Sequence, residues 1–225
     1  MNKKAFIFDL DGVIVDTAKY HFIAWQQIAN QLGIEFTLHD NELLKGVSRV
    51  RSLDIILELG KVTASQEDKN KWLIQKNETY LSYLVTMDEK ELLPGILPIL
   101  KFLKANNQKI ALGSASKNAR PILEKTGILN YFDVIVDGND VSKAKPDPEV
   151  FLIGAQKLHM KPENCIVVED AIAGVEAANK ANMISIGVGD EKILHEADFN
   201  FENLTEISDD FVKELVKRTE AIEQR

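Results

Sequence analysis

Two kinds of hydrophobic patterning follow one another along this chain. Ala5 to Leu10 is a short apolar run that closes on acids and Gly12, which predicts a buried strand followed by a turn. From Thr17 to about Met87 the period becomes helical. Phe22, Trp25, Ile28, Ala29 and Leu32 recur at that spacing, as do Leu53, Ile56 and Leu57, with Gly33, Gly46 and Gly60 as punctuation. This stretch predicts three or four helices and no strand. Pro94-Gly95 breaks the pattern, and strand and helix signals then alternate. Strands are expected at Lys109 to Gly113, Phe132 to Val136, Cys165 to Val168 and Ile184 to Val188, with a short one near Asp198 to Phe201. Helices are expected at Ile96 to Ala105, after the Ser114-Ala115-Ser116 loop to about Lys125, at Asp147 to Leu158, at Ile172 to Ala181 and at Asp209 to Glu223.

Strands alternating with helices imply right-handed crossovers and a parallel sheet covered on both faces. The first strand is separated from the others by the all-helical stretch. The expected architecture is therefore α/β: a Rossmann-like parallel-sheet core from residues 1–15 and 94–225, with an all-helical cap of residues 16–93 inserted after the first strand.

Composition narrows the partners. The formal charge of −8 gives no general attraction to nucleic acid or to an anionic membrane, so an anionic substrate needs a local cluster of Lys and Arg. With one cysteine, Cys165, no intramolecular disulfide forms, and that residue reads as a buried strand position. No apolar run approaches the ~20 residues that span a bilayer, and Met1 to Lys4 lacks the apolar region of a signal peptide. A cytoplasmic monomer acting on a small molecule is the expected setting.

In an open parallel sheet, ligands bind beyond the carboxyl ends of the strands. Asp9 and Asp11 follow the first predicted strand, Ser114 and Ser116 the second, and Glu169 and Asp170 the fourth, while Lys145 lies in a Lys-Pro loop after the third. Continued extended backbone would put Asp9 and Asp11 on one side of the strand end. With Glu169 or Asp170 beside them, several carboxylates would repel one another unless a cation were present. Oxygen ligands without His or Cys point to a hard cation, above all Mg²⁺, shared with a phosphate. Lys145 would balance that charge, and Ser114 would hydrogen-bond phosphoryl oxygens. Each signal also has a plain structural reading. Asp170 can cap the next helix, Ser114 and Ser116 can start one, Lys145-Pro146 can be a turn, and His21 can be a helix-surface residue. Trp25 and Trp72 read as packing residues of the helical segment, and Gly187-Val188-Gly189 as a tight strand exit.

Phe8-Asp9-Leu10-Asp11-Gly12-Val13, Ser114-Ala115-Ser116, Lys145-Pro146 and Glu169-Asp170, in this order, resemble the four signatures of the haloacid-dehalogenase-like phosphotransferases. Asp16-Thr17-Ala18, Tyr20-His21-Phe22, Leu44-Lys45-Gly46-Val47-Ser48-Arg49 and Ser114 to Asn118 further resemble the branch of that superfamily that interconverts β-glucose 1-phosphate and glucose 6-phosphate through a bisphosphate. The resemblance implies that Asp9 is a covalent nucleophile and Asp11 a general acid and base. It implies that Asp9, the Asp11 main-chain carbonyl and Asp170 hold Mg²⁺ with support from Glu169. Ser114 and Lys145 would bind the transferring phosphoryl group. Arg49, Ser116, Lys117 and Asn118 would hold the distal phosphate, and His21, Lys76 and the loop Lys45, Gly46, Val47, Ser48 would contact the sugar or position Asp11. A sugar-phosphate phosphatase would share every catalytic residue. A dehalogenase would need neither Asp11 nor the Glu169-Asp170 pair. A phospho-accepting signalling module would carry its aspartate after an internal strand and would lack the inserted helices.

Overall fold

The computed structural model describes residues 4–217. Strand β1 (Ala5–Phe8) is followed by four helices, α1 (Ala18–Gln31), α2 (Leu38–Glu42), α3 (Arg49–Gly60) and α4 (Gln66–Leu84). The chain then alternates through α5 (Ile96–Ala105), β2 (Lys109–Gly113), α6 (Ala119–Lys125), β3 (Val134–Val136), α7 (Glu149–Lys157), β4 (Cys165–Glu169), α8 (Ile172–Lys180), β5 (Ile184–Val188), β6 (Phe199–Phe201) and α9 (Asp209–Lys217). The six strands form one parallel sheet in the order β3-β2-β1-β4-β5-β6. The α/β architecture read from the sequence is the one observed.

The strands read as unbroken apolar runs because both faces of the sheet are covered. Phe6, Phe8, Ile110, Leu112, Ile166 and Val168 face one way, and α5, α6 and α9 bury them. Ala5, Ile7, Ala111, Cys165 and Val167 face the other way, under α7 and α8. The inserted helices add an apolar cluster of their own around Trp25, Ile28, Leu53, Ile56 and Leu57, with Trp72 packed against it. Their starts follow local chemistry. Thr37 and Asp40 form a reciprocal capping box at α2, and Ser48 and Ser65 accept hydrogen bonds from Arg51 and Asp68 at the starts of α3 and α4.

Several boundaries differ from expectation. β1 ends at Phe8, two residues early, because the backbone turns after the Asp9 N–H bonds to the Val168 carbonyl. β3 starts two residues late, at Val134, because Phe132 closes a short 3₁₀ turn at Leu129–Tyr131. α7 starts at Glu149, after Pro148. The predicted end of the last helix, beyond Lys217, lies outside the described residues. Among the described residues no helix is long and apolar enough to cross a membrane.

Phe8 pairs with Leu112 on one side and Val168 on the other, so β1, β2 and β4 finish at one level. Their following residues must therefore meet at one edge. Close approach there depends on glycine. A Cβ at Gly174 of α8 would fall on the Glu169 carboxylate, whereas a Cβ at Gly154 of α7 would make only ordinary contacts, the nearest at 3.5 Å to Ile7. Gly174→Ala should therefore destabilise the fold by about 1–3 kcal/mol, the usual cost of overpacking, while Gly154→Ala should be neutral or stabilising by up to about 1 kcal/mol through helix propensity. Chemical denaturation of both variants checks this, and equal stabilities would contradict it.

Candidate active site

The carboxyl edge of the sheet faces the inserted helices across a cavity of about 450 Å³. Asp9, Asp11, His21, Lys45, Gly46, Val47, Ser48, Arg49, Lys76, Ser114, Ser116, Lys117, Asn118, Lys145 and Asp170 all line it. Glu169, the remaining residue singled out from the sequence, is fully buried beside them. The fold thus brings together residues from seven separate segments. Gly187 to Gly189 does not reach the cavity wall.

At the centre is the buried Lys145 ammonium. It donates to Asp9 Oδ1 at 2.6 Å and to Glu169 Oε1, and it lies 4.9 Å from the centre of the Phe151 ring. Glu169 is held further by its other oxygen, which accepts from the N–H groups of Asp170 at 3.1 Å and Ala171 at 3.2 Å. Carboxylate oxygens of Asp9, Glu169 and Asp170 lie within 4.8 Å of one another. Three acids thus face one buried ammonium, leaving two formal negative charges that suit a divalent cation. The donor set is all oxygen, which fits Mg²⁺ and not a metal that prefers nitrogen or sulfur. Gly12, with φ of +84°, makes room for this cluster, because a Cβ there would overlap the Asp170 carboxylate.

Burial pushes the Asp9 carboxyl up to about 7; Lys145 opposes the shift, and Glu169 and Asp11 add to it. Asp170 is also raised well above the carboxylate range, by burial and then by Glu169 and Asp9. Burial alone would lower Lys145, but its two anionic partners outweigh that and raise it.

Asp11 departs from the expected geometry. Because the strand stops at Phe8, its side chain does not join the acid cluster. It turns toward the helices, accepts from Thr17 Oγ1 and lies 3.6 Å from His21 Nε2. Burial would raise its carboxyl, but His21, Thr17 and Lys76 outweigh that and hold it below the usual range. His21 Nδ1 is 2.9 Å from Lys76 Nζ, which lies 5.0 Å from the Trp25 ring centre and 4.7 Å from that of Tyr80. Burial and the nearby Arg49 bring the Lys76 ammonium down to about 7.

The plain readings of several residues give way here. Asp170 caps no helix, since α8 begins after Ala171 without a side-chain cap. Ser114 and Ser116 precede Asn118, the cap position of α6, and accept from the N–H groups of Ser116 at 3.0 Å and Asn118 at 3.2 Å. His21 is part of the cavity wall. Trp25 packs in the helical cluster and lines the cavity as well. Asn118 Nδ2 also donates to Asn77 Oδ1 in α4 at 3.1 Å, and Lys45 lies 3.8 Å from Asp170, so the helices touch the sheet edge at both places. Sequence reasoning did not single out Thr17, Gly12, Asn41 or the Ser142-Lys143 loop segment. Thr17 and Gly12 carried a signal, their places in the Asp16-Thr17-Ala18 and Phe8-to-Val13 matches; the others carried none.

A family model described as haloacid dehalogenase-like hydrolase matches residues 3–182. The chain is 44% identical over 197 residues to the β-phosphoglucomutase of Bacillus subtilis (strain 168), covering 87% of each chain. It is 32% identical over 201 residues to a phosphorylated carbohydrates phosphatase of Thermotoga maritima, covering 86% of this chain and 91% of the relative. The fold matches a crystal structure of β-phosphoglucomutase from Clostridium difficile with a TM-score of 0.91 and 44% identity, over 95% of this chain and 97% of that one.

The raised acids make a stability prediction. The folded state holds protons at Asp9 and Asp170 more tightly than the unfolded chain does. The stability this gives is present below the unfolded carboxylate range, near pH 4, and is lost as pH rises through the raised values, about 7 for Asp9. Metal-free protein should therefore melt lower at pH 8 than at pH 5 relative to Asp170→Asn. At pH 8, Mg²⁺ at 100 times its Kd should restore the native protein by about 2.7 kcal/mol and leave Asp170→Asn nearly unchanged. Melting curves at the two pH values decide this, and identical Mg²⁺ responses would contradict it.

Proposed function

Since the chain belongs to the haloacid dehalogenase-like hydrolase family, we propose that it is a phosphomutase interconverting β-glucose 1-phosphate and glucose 6-phosphate through the 1,6-bisphosphate. The observation that carries this reading is a second cationic pole in the cavity. Arg49, the first residue of α3, is half-buried in the wall and is paired with no carboxylate among the described residues. A guanidinium left in that state suits a phosphate ligand, and the start of a helix adds N–H donors to it. Lys117 and Asn118 extend the pole from the sheet side. A substrate gripped at both ends presents either phosphate to one nucleophile.

In the proposed cycle the C6 hydroxyl of β-glucose 1-phosphate attacks the phosphoryl group carried on Asp9, the P–O bond to Asp9 breaks and frees its carboxylate, and the Asp11 carboxylate takes the hydroxyl proton. The bisphosphate reorients. Asp9 then attacks the phosphorus at C1, the P–O bond to the sugar breaks, and Asp11 returns the proton to the departing oxygen, releasing glucose 6-phosphate. Ser114 and Lys145 hold the transferring group, with Lys145 also fixing the Asp9 carboxylate. Asp9, Asp170 and the Asp11 carbonyl, backed by Glu169, would hold Mg²⁺, which would screen charge on the phosphoryl oxygens. His21 and Lys76 hold Asp11 in place, and the loop Lys45 to Ser48 meets the sugar. Residues 16–93 act as a cap whose closure keeps water from Asp9, 5% exposed, and brings His21 to Asp11.

The second reading is a sugar-phosphate phosphatase with the same nucleophile, favoured by the similarity to the Thermotoga protein. One assay separates them. With Mg²⁺, β-glucose 1-phosphate and a trace of glucose 1,6-bisphosphate, the mutase reading predicts glucose 6-phosphate well in excess of free phosphate. Arg49→Ala should lower that rate by roughly 10–100-fold, the value of a charge-assisted hydrogen bond, while sparing hydrolysis of acetyl phosphate. Free phosphate at a rate comparable to glucose 6-phosphate would make the protein a phosphatase.

A further inference from the structure

Polar side chains buried among the inserted helices mostly find partners within the protein. Thr17 bonds to Asp11, Ser52 Oγ to the Ser48 carbonyl at 3.1 Å, and Lys76 to His21. Asn41 of α2 does not. It is 7% exposed and lines the cavity. Its main-chain N–H bonds to the Thr37 carbonyl, but its side-chain amide has no hydrogen-bond partner among the described residues. The amide is not sealed from the cavity, and an apolar residue of the same size would fill the position as readily, so packing alone does not call for an amide there. Its place on the cavity wall explains the choice of residue if the amide's partner is a ligand.

The helical side of the wall also carries Trp25, Leu44 and Leu73. Apolar surfaces with one neutral donor and acceptor suit the C–H faces and hydroxyls of a sugar. They do not suit a phosphate, for which Arg49 and Lys117 of the same cavity provide charge. We propose that the Asn41 amide is a specificity-determining group that hydrogen-bonds a ring hydroxyl of the phosphorylated sugar. This rests on the sugar-phosphate reading of the cavity.

Asn41→Leu keeps the size of the side chain and removes donor and acceptor together; Asn41→Ala removes the amide without risk of overpacking. Both variants and the native protein are assayed on β-glucose 1-phosphate and its monodeoxy analogues, counting all sugar phosphate consumed, with acetyl phosphate hydrolysis as the sugar-free reference. The expected kcat/KM loss is about tenfold on β-glucose 1-phosphate, the scale of one neutral hydrogen bond, with under about twofold on acetyl phosphate. One deoxy analogue should cost the native protein a similar factor and cost the variants nothing further. Unchanged sugar kinetics, equal losses on both donors, or deoxy penalties that persist in full in the variants would overturn the assignment. Consumption is counted whether the phosphoryl group reaches sugar or water. A failed mutase reading would thus appear as free phosphate from the native protein and leave the Asn41 comparison intact.

Discussion

Everything at the carboxyl edge of the sheet depends on one buried ammonium group. Lys145 is 3% exposed and joins the end of β1 to the end of β4 through Asp9 and Glu169. Removing such a charge from water is expensive, and the cost is met only where its donors are matched by acceptors. Here two carboxylates and the face of Phe151 provide that match. The match is incomplete in the other direction, since Asp170 adds a third acid that Lys145 cannot neutralise. The site is therefore built with an unbalanced negative charge, which a divalent cation would offset.

The sheet and the inserted helices divide the remaining work. The parallel ladder sets three strand ends at one level and so places the anionic pole at the edge of the sheet. The helices bring the other half: His21 and Thr17 toward Asp11, Lys45 toward Asp170, and Arg49 into the cavity wall. Asp11 belongs to both halves, carried by the β1 turn but oriented by α1 and its cap. In the proposed cycle, that position would let α1 set where Asp11 meets the sugar oxygen.

The layout of the fold was legible because both sheet faces are covered, so each strand announces itself as an apolar run bounded by turns. The acids after β1 and β4, and Lys145, were legible because strand ends in a parallel sheet are where polar residues converge. The direction of Asp11 was not, since nothing local reveals that the backbone turns at Asp9 and not two residues later. Its partners sit on a helix, and Thr17 reads as an ordinary helix-start residue until the two meet. Asn41 was invisible for the same reason: a short helix with charged neighbours looks solvated, and only packing shows the residue to be buried. Gly12 and Gly174 likewise have meaning only through the carboxylates that approach them from elsewhere in the chain.

The central claim is that Asp9 carries the phosphoryl group. The most direct test is a rapid-quench reaction with isotopically labelled glucose 1,6-bisphosphate and Mg²⁺, followed by peptide mapping of the trapped protein. The account predicts label in a single acyl phosphate on the peptide containing Asp9, and none in Asp9→Asn. Label on another residue, or full turnover with no phosphoenzyme and no effect of Asp9→Asn, would contradict it.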